Sequence, residues 1–348
     1  MKPKTGRYLI VVAYLSYILL GLPNGALGVA WPAIREGFGL PLDALGILLT
    51  AVTIAYIIVS FNSGRIVSVV GLGAFLVLSS ASSAAGLLGY TVAPEWWVMV
   101  LSGLLLGAGA AAVDSGMNIF VAANYGAREM NWLHACFGIG VTLGPVIITA
   151  LLDAGQSWRW GYALVAVLQV ALAVGFGLTL DRWRYRQPEL TEAEPDTSPA
   201  VARSVATLLL LPAWLGIAIF VNHTGVQFTA GQWAYTLFTE ARAVAPATAG
   251  LWISIYWGSL TAGRLVLGPV AERVGVVPLL RSCILGIIGG SALVWWHPSD
   301  LVSFLGLALI GLSVAPLFPS LISSTPKRVG RRHAANAIGF QVAAGSVG

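Results

Sequence analysis

Ten long apolar runs, followed by the start of an eleventh, divide this sequence and constrain its fold more than any other feature. A helix of about 20 apolar residues crosses the hydrocarbon core of a bilayer, and most of the ten runs reach that length. Inside a bilayer the backbone must satisfy its own hydrogen bonds, so helices are expected. The ten runs are predicted at residues 8–30, 44–66, 74–92, 97–122, 133–152, 160–180, 207–231, 248–270, 279–296 and 301–323, and the eleventh begins near Ala334.

The composition excludes a soluble globular protein. Hydrophobic residues make up 57% of the chain and charged residues only 9%, with a mean hydropathy of +0.83. So few charges could not cover the surface of a soluble domain of this size. The fold class predicted is therefore an all-α polytopic membrane protein, with the lipid bilayer as its surroundings.

The basic residues predict the orientation of the chain. With the N-terminus inside the cell, fifteen of the 19 lysines and arginines fall in cytoplasmic segments, Arg35, Arg159 and Arg242 fall outside, and Arg264 lies within the eighth span. This asymmetry is the positive-inside pattern, and it explains the net charge of +5 without a nucleic-acid partner. We expect a multi-pass protein of the cell (inner) membrane with a cytoplasmic N-terminus. An interfacial belt of tryptophans is expected near the outer ends of spans, at Trp96, Trp97, Trp158, Trp160, Trp295 and Trp296.

A polar segment divides the spans into two sets. Residues 181–206 contain several glutamates and prolines and no apolar period, which predicts a cytoplasmic linker. Residues 1–180 form a predicted N-terminal six-helix half, and residues 207–348 form a C-terminal half with spans 7–10 and the start of 11. Glycines seven residues apart, at Gly64 and Gly71 and again at Gly268 and Gly275, follow the second span of each half.

Asp114 is the only acidic residue within any predicted span. A charged carboxylate at the centre of a membrane helix costs about 2.5–3.5 kcal/mol on insertion scales. At helical spacing it shares a face with Gly103, Gly107 and Asn118, and the small residues allow another helix to approach closely. Two interpretations remain open: a coupling acid at a transport site, or a structural carboxylate satisfied by a neighbouring helix.

Other polar and aromatic residues inside spans are candidates to bind a solute. Each also has a simpler structural explanation: the amide of Asn24 could satisfy the kink at Pro23, a lone histidine is often only hydrogen-bonded, and aromatic residues often fill a core. The candidate solute-binding residues are Asn24, Asn118, Asn222, His223, Gln227, Tyr256, Trp257 and Gln341.

The loop after the eighth span resembles a signature of the major facilitator superfamily. That signature reads G-x-x-x-[DE]-R-x-G, and residues 268–275 match it with Glu272 and Arg273 in the charged places. The first-half copy departs from it, because Ser68 and Val69 stand where the acid and arginine belong. Segments 21–32, 107–118 and 133–145 resemble the fucose-permease-like branch of sugar:proton symporters.

The resemblance implies two pseudo-symmetric six-helix halves with a solute site near the membrane midplane between them. Asp114 falls where fucose-type symporters keep a fourth-helix carboxylate, and Asn118 matches their asparagine four residues later. Their first-helix acid falls on Gly28, which cannot ionise. Because the superfamily has twelve helices, we expect a second half truncated within helix 11. The predicted gating residues are His134, Arg264, Gly268, Glu272, Arg273 and Gly275; alternatively Arg264 pairs with Asp114.

We therefore expect a secondary active transporter that moves a small polar solute, such as a sugar, by alternating access and couples this movement to protons. The chain is expected to act as a monomer and to use no cofactor or metal. We do not expect an enzyme, since the sequence contains no recognisable nucleophile–base pair, metal cluster or phosphate-binding loop. Two alternatives stand: a drug or hydrophobic-solute exporter, and a non-transporting or decayed membrane protein.

Overall fold

The computed structural model describes residues 7–125, 127–183 and 204–346, and these residues are almost entirely α-helical. The chain divides into two compact units. The first unit contains residues 1–187 and 235–254, and the second contains residues 188–234 and 255–348. Most of the predicted linker, residues 184–203, lies outside the described residues.

Six long helices form the body of the first unit. Helix α1 packs mainly on α5, α4 packs on both α2 and α3, and α3 also packs on α6. Short 3₁₀ turns at Leu42–Ala44 and Leu180–Arg182 precede α2 and follow α6. The six helices are α1 (Arg7–Phe38), α2 (Leu45–Val70), α3 (Leu72–Val92), α4 (Trp96–Asn124), α5 (Ala127–Asp153) and α6 (Trp158–Leu178).

Close approaches of helices in this unit depend on glycine. A Cβ atom on Gly25 of α1 would collide with the backbone carbonyl of Val141 on α5. A Cβ atom on Gly107 of α4 would collide with the carbonyl of Val52 on α2. Small residues at these contacts let the backbones meet, as is common for helices packed in lipid. The second contact confirms that the glycine face of α4 receives a neighbouring helix.

The second unit combines long helices with several short ones. Helix α10 packs extensively on α11, and α13 packs on α12 and α7. Helices α8 and α9 belong to both units, because residues 235–254 cluster with the first. A π-helical turn at Leu237–Ala241 follows α8. The helices are α7 (Ser204–Leu208), α8 (Leu211–Thr236), α9 (Pro246–Val274), α10 (Val276–Trp296), α11 (Asp300–Val314), α12 (Leu317–Val329) and α13 (Arg331–Gly345).

Eight stretches of the described chain are long and apolar enough to cross a membrane, and they include α1–α6, α10 and the α11–α12 region. Helices α8 and α9 have 26 and 29 residues, so their length also suffices. Their polar residues lower their hydropathy below that of the other spans. The predicted seventh and eighth spans are thus helical but unusually polar.

Several predicted helix boundaries differ from the structure by a few residues, and two of the differences involve proline. Helix α1 runs through Pro23 and Pro32 to Phe38, eight residues beyond its predicted end. The predicted tenth span is two helices, because the chain turns at Ala315 and Pro316 before α12 begins. Proline cannot donate a backbone hydrogen bond and its ring crowds the preceding turn, which favours a break here.

The tryptophan belt is also only partly as expected. Trp97, Trp160, Trp295 and Trp296 are exposed and could face the lipid interface. Trp96 and Trp158 are instead buried, and Trp96 packs against the ring of Trp31 in α1. Consecutive residues of a helix point about 100° apart, so one tryptophan of an adjacent pair can be buried while the other is exposed, as Trp96 and Trp97 are.

The repeated glycines end the second helix of each predicted half in the same way. Gly71 lies between α2 and α3 with φ +81°, and Gly275 lies between α9 and α10 with φ +86°. This conformation is strained for residues with a Cβ atom, so glycine suits both turns. The similarity in sequence is therefore accompanied by a similarity in backbone geometry.

Candidate functional site

The carboxylate of Asp114 is the centre of a hydrogen-bonded cluster in the first unit. The Tyr17 hydroxyl donates to Oδ1 at 2.6 Å, and the Tyr56 hydroxyl donates to Oδ2 at 2.6 Å. Asn118 Nδ2 also donates to Oδ1 at 3.1 Å and to the Asp114 carbonyl at 2.9 Å. Helices α1, α2 and α4 thus converge on one acid, and each of its oxygens has a donor.

Helix packing explains how these side chains meet. Helices α2 and α4 run parallel, with Gly103 against Leu48 and Gly107 against the backbone of Val52. Tyr56 lies one helical turn beyond Val52, and Asp114 lies about two turns beyond Gly107. The close contact at the glycine therefore brings the phenol within hydrogen-bonding distance of the carboxylate.

Tyrosine suits an acid that changes its protonation state. A phenol hydroxyl can donate to a carboxylate, and it can also accept the proton of a carboxylic acid. Tyr17 and Tyr56 can therefore keep Asp114 hydrogen-bonded in both states by rotating their hydroxyl hydrogens. The cluster can hold a proton at this position without leaving a buried polar group unsatisfied.

His134, a predicted gating residue on α5, borders this cluster. Its imidazole meets the Tyr17 ring edge-on, with centroids 5.6 Å apart. The His134 side chain is exposed, whereas Tyr17 is buried. The phenol of Tyr17 thus lies between an accessible histidine and the carboxylate of Asp114.

The sequence did not identify Tyr17 or Tyr56 as members of this site. Both are tyrosines in otherwise apolar runs, and a buried phenol hydroxyl usually needs a partner. That need is a usable signal, but several other tyrosines share it. Nothing in the sequence indicates which two are close to Asp114.

Asn24 lies on α1 seven residues after Tyr17, and therefore on the same face of the helix about 10.5 Å further along. Its Nδ2 atom donates to the carbonyl of Leu20 at 2.9 Å, within its own helix. The side chain is half-buried. The structure thus shows the amide satisfying the helix near Pro23, and its role toward a solute stays a prediction.

In the second unit, a hydrogen bond between Tyr256 and Gln227 joins α8 to α9. The Tyr256 hydroxyl donates to the backbone carbonyl of Gln227 at 2.7 Å. Gly231, one turn later on α8, receives the Trp257 ring, which a Cβ atom there would strike. The predicted face of His223, Gln227 and Gly231 therefore packs against α9.

The remaining candidates in this unit are placed differently. Gln341 on α13 is buried, and its Oε1 accepts a hydrogen bond from Thr325 of α12 at 2.9 Å. Asn222 is exposed and donates to the carbonyl of Ala218 in its own helix. His223 is buried beside Phe318, with ring centroids 6.4 Å apart.

The predicted gating residues of the second half are only partly described. Gly268 belongs to α9, Gly275 forms the turn after it, and Arg273 is exposed near the end of α9. The side chain of Glu272 lies outside the described residues. Arg264 is half-buried in α9. A pair between Arg264 and Asp114 would join the two units and stays a prediction.

The first unit also contains an ion pair that the sequence did not predict. Arg35, in the last turn of α1, donates to Oε2 of Glu240 at 2.7 Å. Both side chains are partly exposed, at 26% and 37%. A cavity of about 610 Å³ lies beside the pair, lined also by Pro32 and Thr239. The pair connects α1 to the π-helical turn that follows α8.

Comparison with known families identifies one match to nearly the whole chain. The profile described as the Major Facilitator Superfamily matches residues 13–348. The glucose/mannose transporter GlcP of Bacillus subtilis is 20% identical over 326 residues, which is 90% of this chain and 78% of that protein.

Solved structures share the architecture at low identity. A bacterial homolog of the human lysosomal transporter Spinster, inward-facing and unoccupied, has a TM-score of 0.80 at 14% identity and covers 100% of this chain and 80% of that chain. A variant of the E. coli fucose:proton symporter FucP has a TM-score of 0.62 at 12% identity, covering 98% and 90%. At such identities the likeness establishes the fold, and with the family match it confirms the predicted fold class.

Proposed function

Because the chain belongs to the Major Facilitator Superfamily, a family of membrane transporters rather than enzymes, we propose that it is a proton-coupled secondary transporter of a small polar solute. Movement follows alternating access, and Asp114 is the proton-coupling acid. The observation that carries the proposal is the three-helix cluster of Asp114 with Tyr17 and Tyr56.

A solute of the sugar class is supported by the relatives. GlcP is named as a glucose/mannose transporter, and FucP as a fucose:proton symporter. The candidate solute contacts are amides, hydroxyls and aromatic rings, which suit a polyol through hydrogen bonds and through contact with the apolar face of a sugar ring. In the first unit these contacts are Asn24 and Asn118.

Coupling follows from linkage between proton and solute. The ionised form of Asp114 accepts hydrogen bonds from α1, α2 and its own helix α4, and so favours the arrangement in which these helices converge. The protonated form needs fewer donors and tolerates other arrangements. A proton and a solute that favour the same conformation increase each other's affinity by the same factor.

The proposal includes placement in the cell membrane as a monomer, with the N-terminus in the cytoplasm. The charge asymmetry of the loops supports this orientation. His134 then lies on the cytoplasmic side of the cluster, where an exposed imidazole beside Tyr17 could exchange protons with water.

The decisive experiment measures sugar transport by the Asp114→Asn variant after reconstitution into liposomes. The amide mimics the protonated acid, so accumulation of D-glucose, D-mannose or L-fucose driven by a pH gradient should be lost. Counterflow of the same sugar, which needs no net proton movement, should survive. Asp43→Asn is the matched control, because it makes the same chemical change at an exposed acid in the 3₁₀ turn that precedes α2.

Undiminished pH-driven accumulation in Asp114→Asn, at equal protein abundance, would exclude Asp114 as the coupling acid. A collapse of protein abundance that Arg264→Gln restores would instead identify a structural pair between Asp114 and Arg264. Removing one member of a buried pair costs about 3–5 kcal/mol, enough to reveal this alternative.

A further inference from the structure

The hydrogen bond between Tyr256 and Gln227 sets the register of α8 against α9. The two helices run antiparallel, since Phe238 after α8 packs against Trp252 near the start of α9, with ring centroids 5.0 Å apart. From the Tyr256–Gln227 contact, His223 lies one turn further along the pair, and Arg264 lies about two turns further in the same direction.

Three nitrogen groups on this face have no hydrogen-bond partner among the described residues. The His223 side chain is 8% exposed and its Nδ1 atom is unpartnered. The Trp257 side chain is 1% exposed and its Nε1–H is unpartnered. Arg264, half-buried, forms no ion pair or hydrogen bond in the described part of the chain.

Among the described residues, no neighbouring group accepts a hydrogen bond from His223 Nδ1, from Trp257 Nε1 or from Arg264. The Tyr256 hydroxyl donates to the Gln227 carbonyl and so does not compete for an anion, and Phe318 presents only carbon to His223. Buried donors without acceptors are costly, and a cation inside a span is more so.

We propose that this face, formed by His223, Trp257 and Arg264, binds the carboxylate of a polyhydroxylated organic acid. The proposal rests on the transport function proposed above and specifies its substrate as a sugar acid rather than a neutral sugar. Arg264 supplies the positive charge and a two-pronged donor that matches a carboxylate. His223 donates from Nδ1 in the tautomer that carries its proton there.

Charge and length favour a sugar acid over a phosphate ester. One guanidinium balances a single negative charge, whereas a phosphate monoester brings about −1.5 to −2 at neutral pH. Trp257 and Arg264 are seven residues apart, hence on one face and about 10.5 Å apart along the helix. The Trp257 ring packs at Gly231, so an acid whose carboxylate is bound to Arg264 reaches the indole N–H by extending past the Tyr256–Gln227 hydrogen bond.

The test measures binding of matched pairs to the purified full chain. The probes are D-gluconate against D-glucose, and D-galactonate against D-galactose, with inorganic phosphate as a further anion. Each acid should bind more tightly than its parent sugar and than phosphate. Arg264→Gln should weaken the acids roughly 10- to 100-fold, the loss of one charge-assisted contact, and change the parent sugars little. His223→Ala should weaken the acids several-fold.

Arg281→Gln is the matched control, since it removes the same charge from an exposed position on α10. The anion site would be overturned if neutral sugars bound as tightly as the acids and Arg264→Gln had no effect on binding. The transport proposal would remain in that case. Binding of phosphate in preference to the acids would also overturn it. If neither acids nor sugars bind or accumulate, both proposals fail.

The unfolding temperature of Arg264→Gln provides a second test, which needs no bound ligand. An unpaired cation in a span destabilises the protein, so Arg264→Gln should unfold at a higher temperature than the original protein when no ligand is present. A lower unfolding temperature would show that Arg264 has a structural acceptor, and it would overturn the proposal.

Discussion

The Tyr56 hydroxyl donates a 2.6 Å hydrogen bond to Oδ2 of Asp114, across the contact between α2 and α4. The hydroxyl of Tyr17, on α1, donates to the other carboxylate oxygen, Oδ1. Two phenols from two helices therefore orient one acid in a segment where few polar groups are available. This arrangement makes the tyrosines positioning residues for the proposed proton coupling.

Tyr56→Phe should uncouple transport more than it damages the fold. Without this donor the ionised carboxylate loses a charge-assisted hydrogen bond of about 1.5–3 kcal/mol, and the three-helix cluster around Asp114 is weakened. Accumulation driven by a pH gradient should fall about tenfold or more, while counterflow changes less. Tyr90→Phe is the control, because its buried hydroxyl has no partner in the described structure. Equal accumulation by both variants would contradict the assigned role.

Gly25→Ala should destabilise the contact between α1 and α5. The added methyl group meets the backbone of Val141, which cannot move aside as a flexible side chain could. Overpacking of this kind costs about 1–3 kcal/mol, so thermal unfolding in detergent should occur at a lower temperature. Gly46→Ala adds the same group where nothing lies within 4 Å and should be neutral or stabilising. An unchanged unfolding temperature for Gly25→Ala would argue against this close contact.

The ion pair of Arg35 and Glu240 should contribute little to the stability of the protein. Reversing one of its charges should destabilise the protein, and exchanging both charges should not. Both side chains are partly exposed, so the pair is worth at most about 1 kcal/mol. Arg35→Glu places two carboxylates together and should lower the unfolding temperature, and adding Glu240→Arg should restore it. A double-mutant cycle measures the coupling. The stability change of the double variant is compared with the sum of the changes of the two single variants. If the two are equal, Arg35 and Glu240 do not interact in the membrane protein.

The charge pattern predicts that the linker faces the cytoplasm. A cysteine introduced as Ala193→Cys should resist a membrane-impermeant maleimide in intact cells and react after permeabilisation. Gln156→Cys, in the exposed loop between α5 and α6, should react from outside. The native cysteines, Cys136 and Cys283, are both buried and should contribute little background. Labelling of the linker in intact cells would reverse the proposed orientation.

Periodicity allowed part of the site to be predicted from sequence. Asp114, Asn118 and Gly107 share a face because residues three, four and seven apart align on any α-helix. The structure confirms that this face meets α2 at Gly107 and that Asn118 donates to Asp114. The tandem tryptophans show the limit of such reasoning, because Trp96 is buried while Trp97 is exposed.

The sequence by itself determined the class of the protein, because span length, low charge and helical periodicity are properties of local stretches of chain. It also isolated Asp114 as the acid inside a span. Only the tertiary structure decided which residues surround that acid. Tyr17 and Tyr56 stand 97 and 58 residues away, and such distances in sequence carry no signal of contact. Their hydroxyls reach the carboxylate because helix packing, with close approach at glycine, brings α1 and α2 against α4.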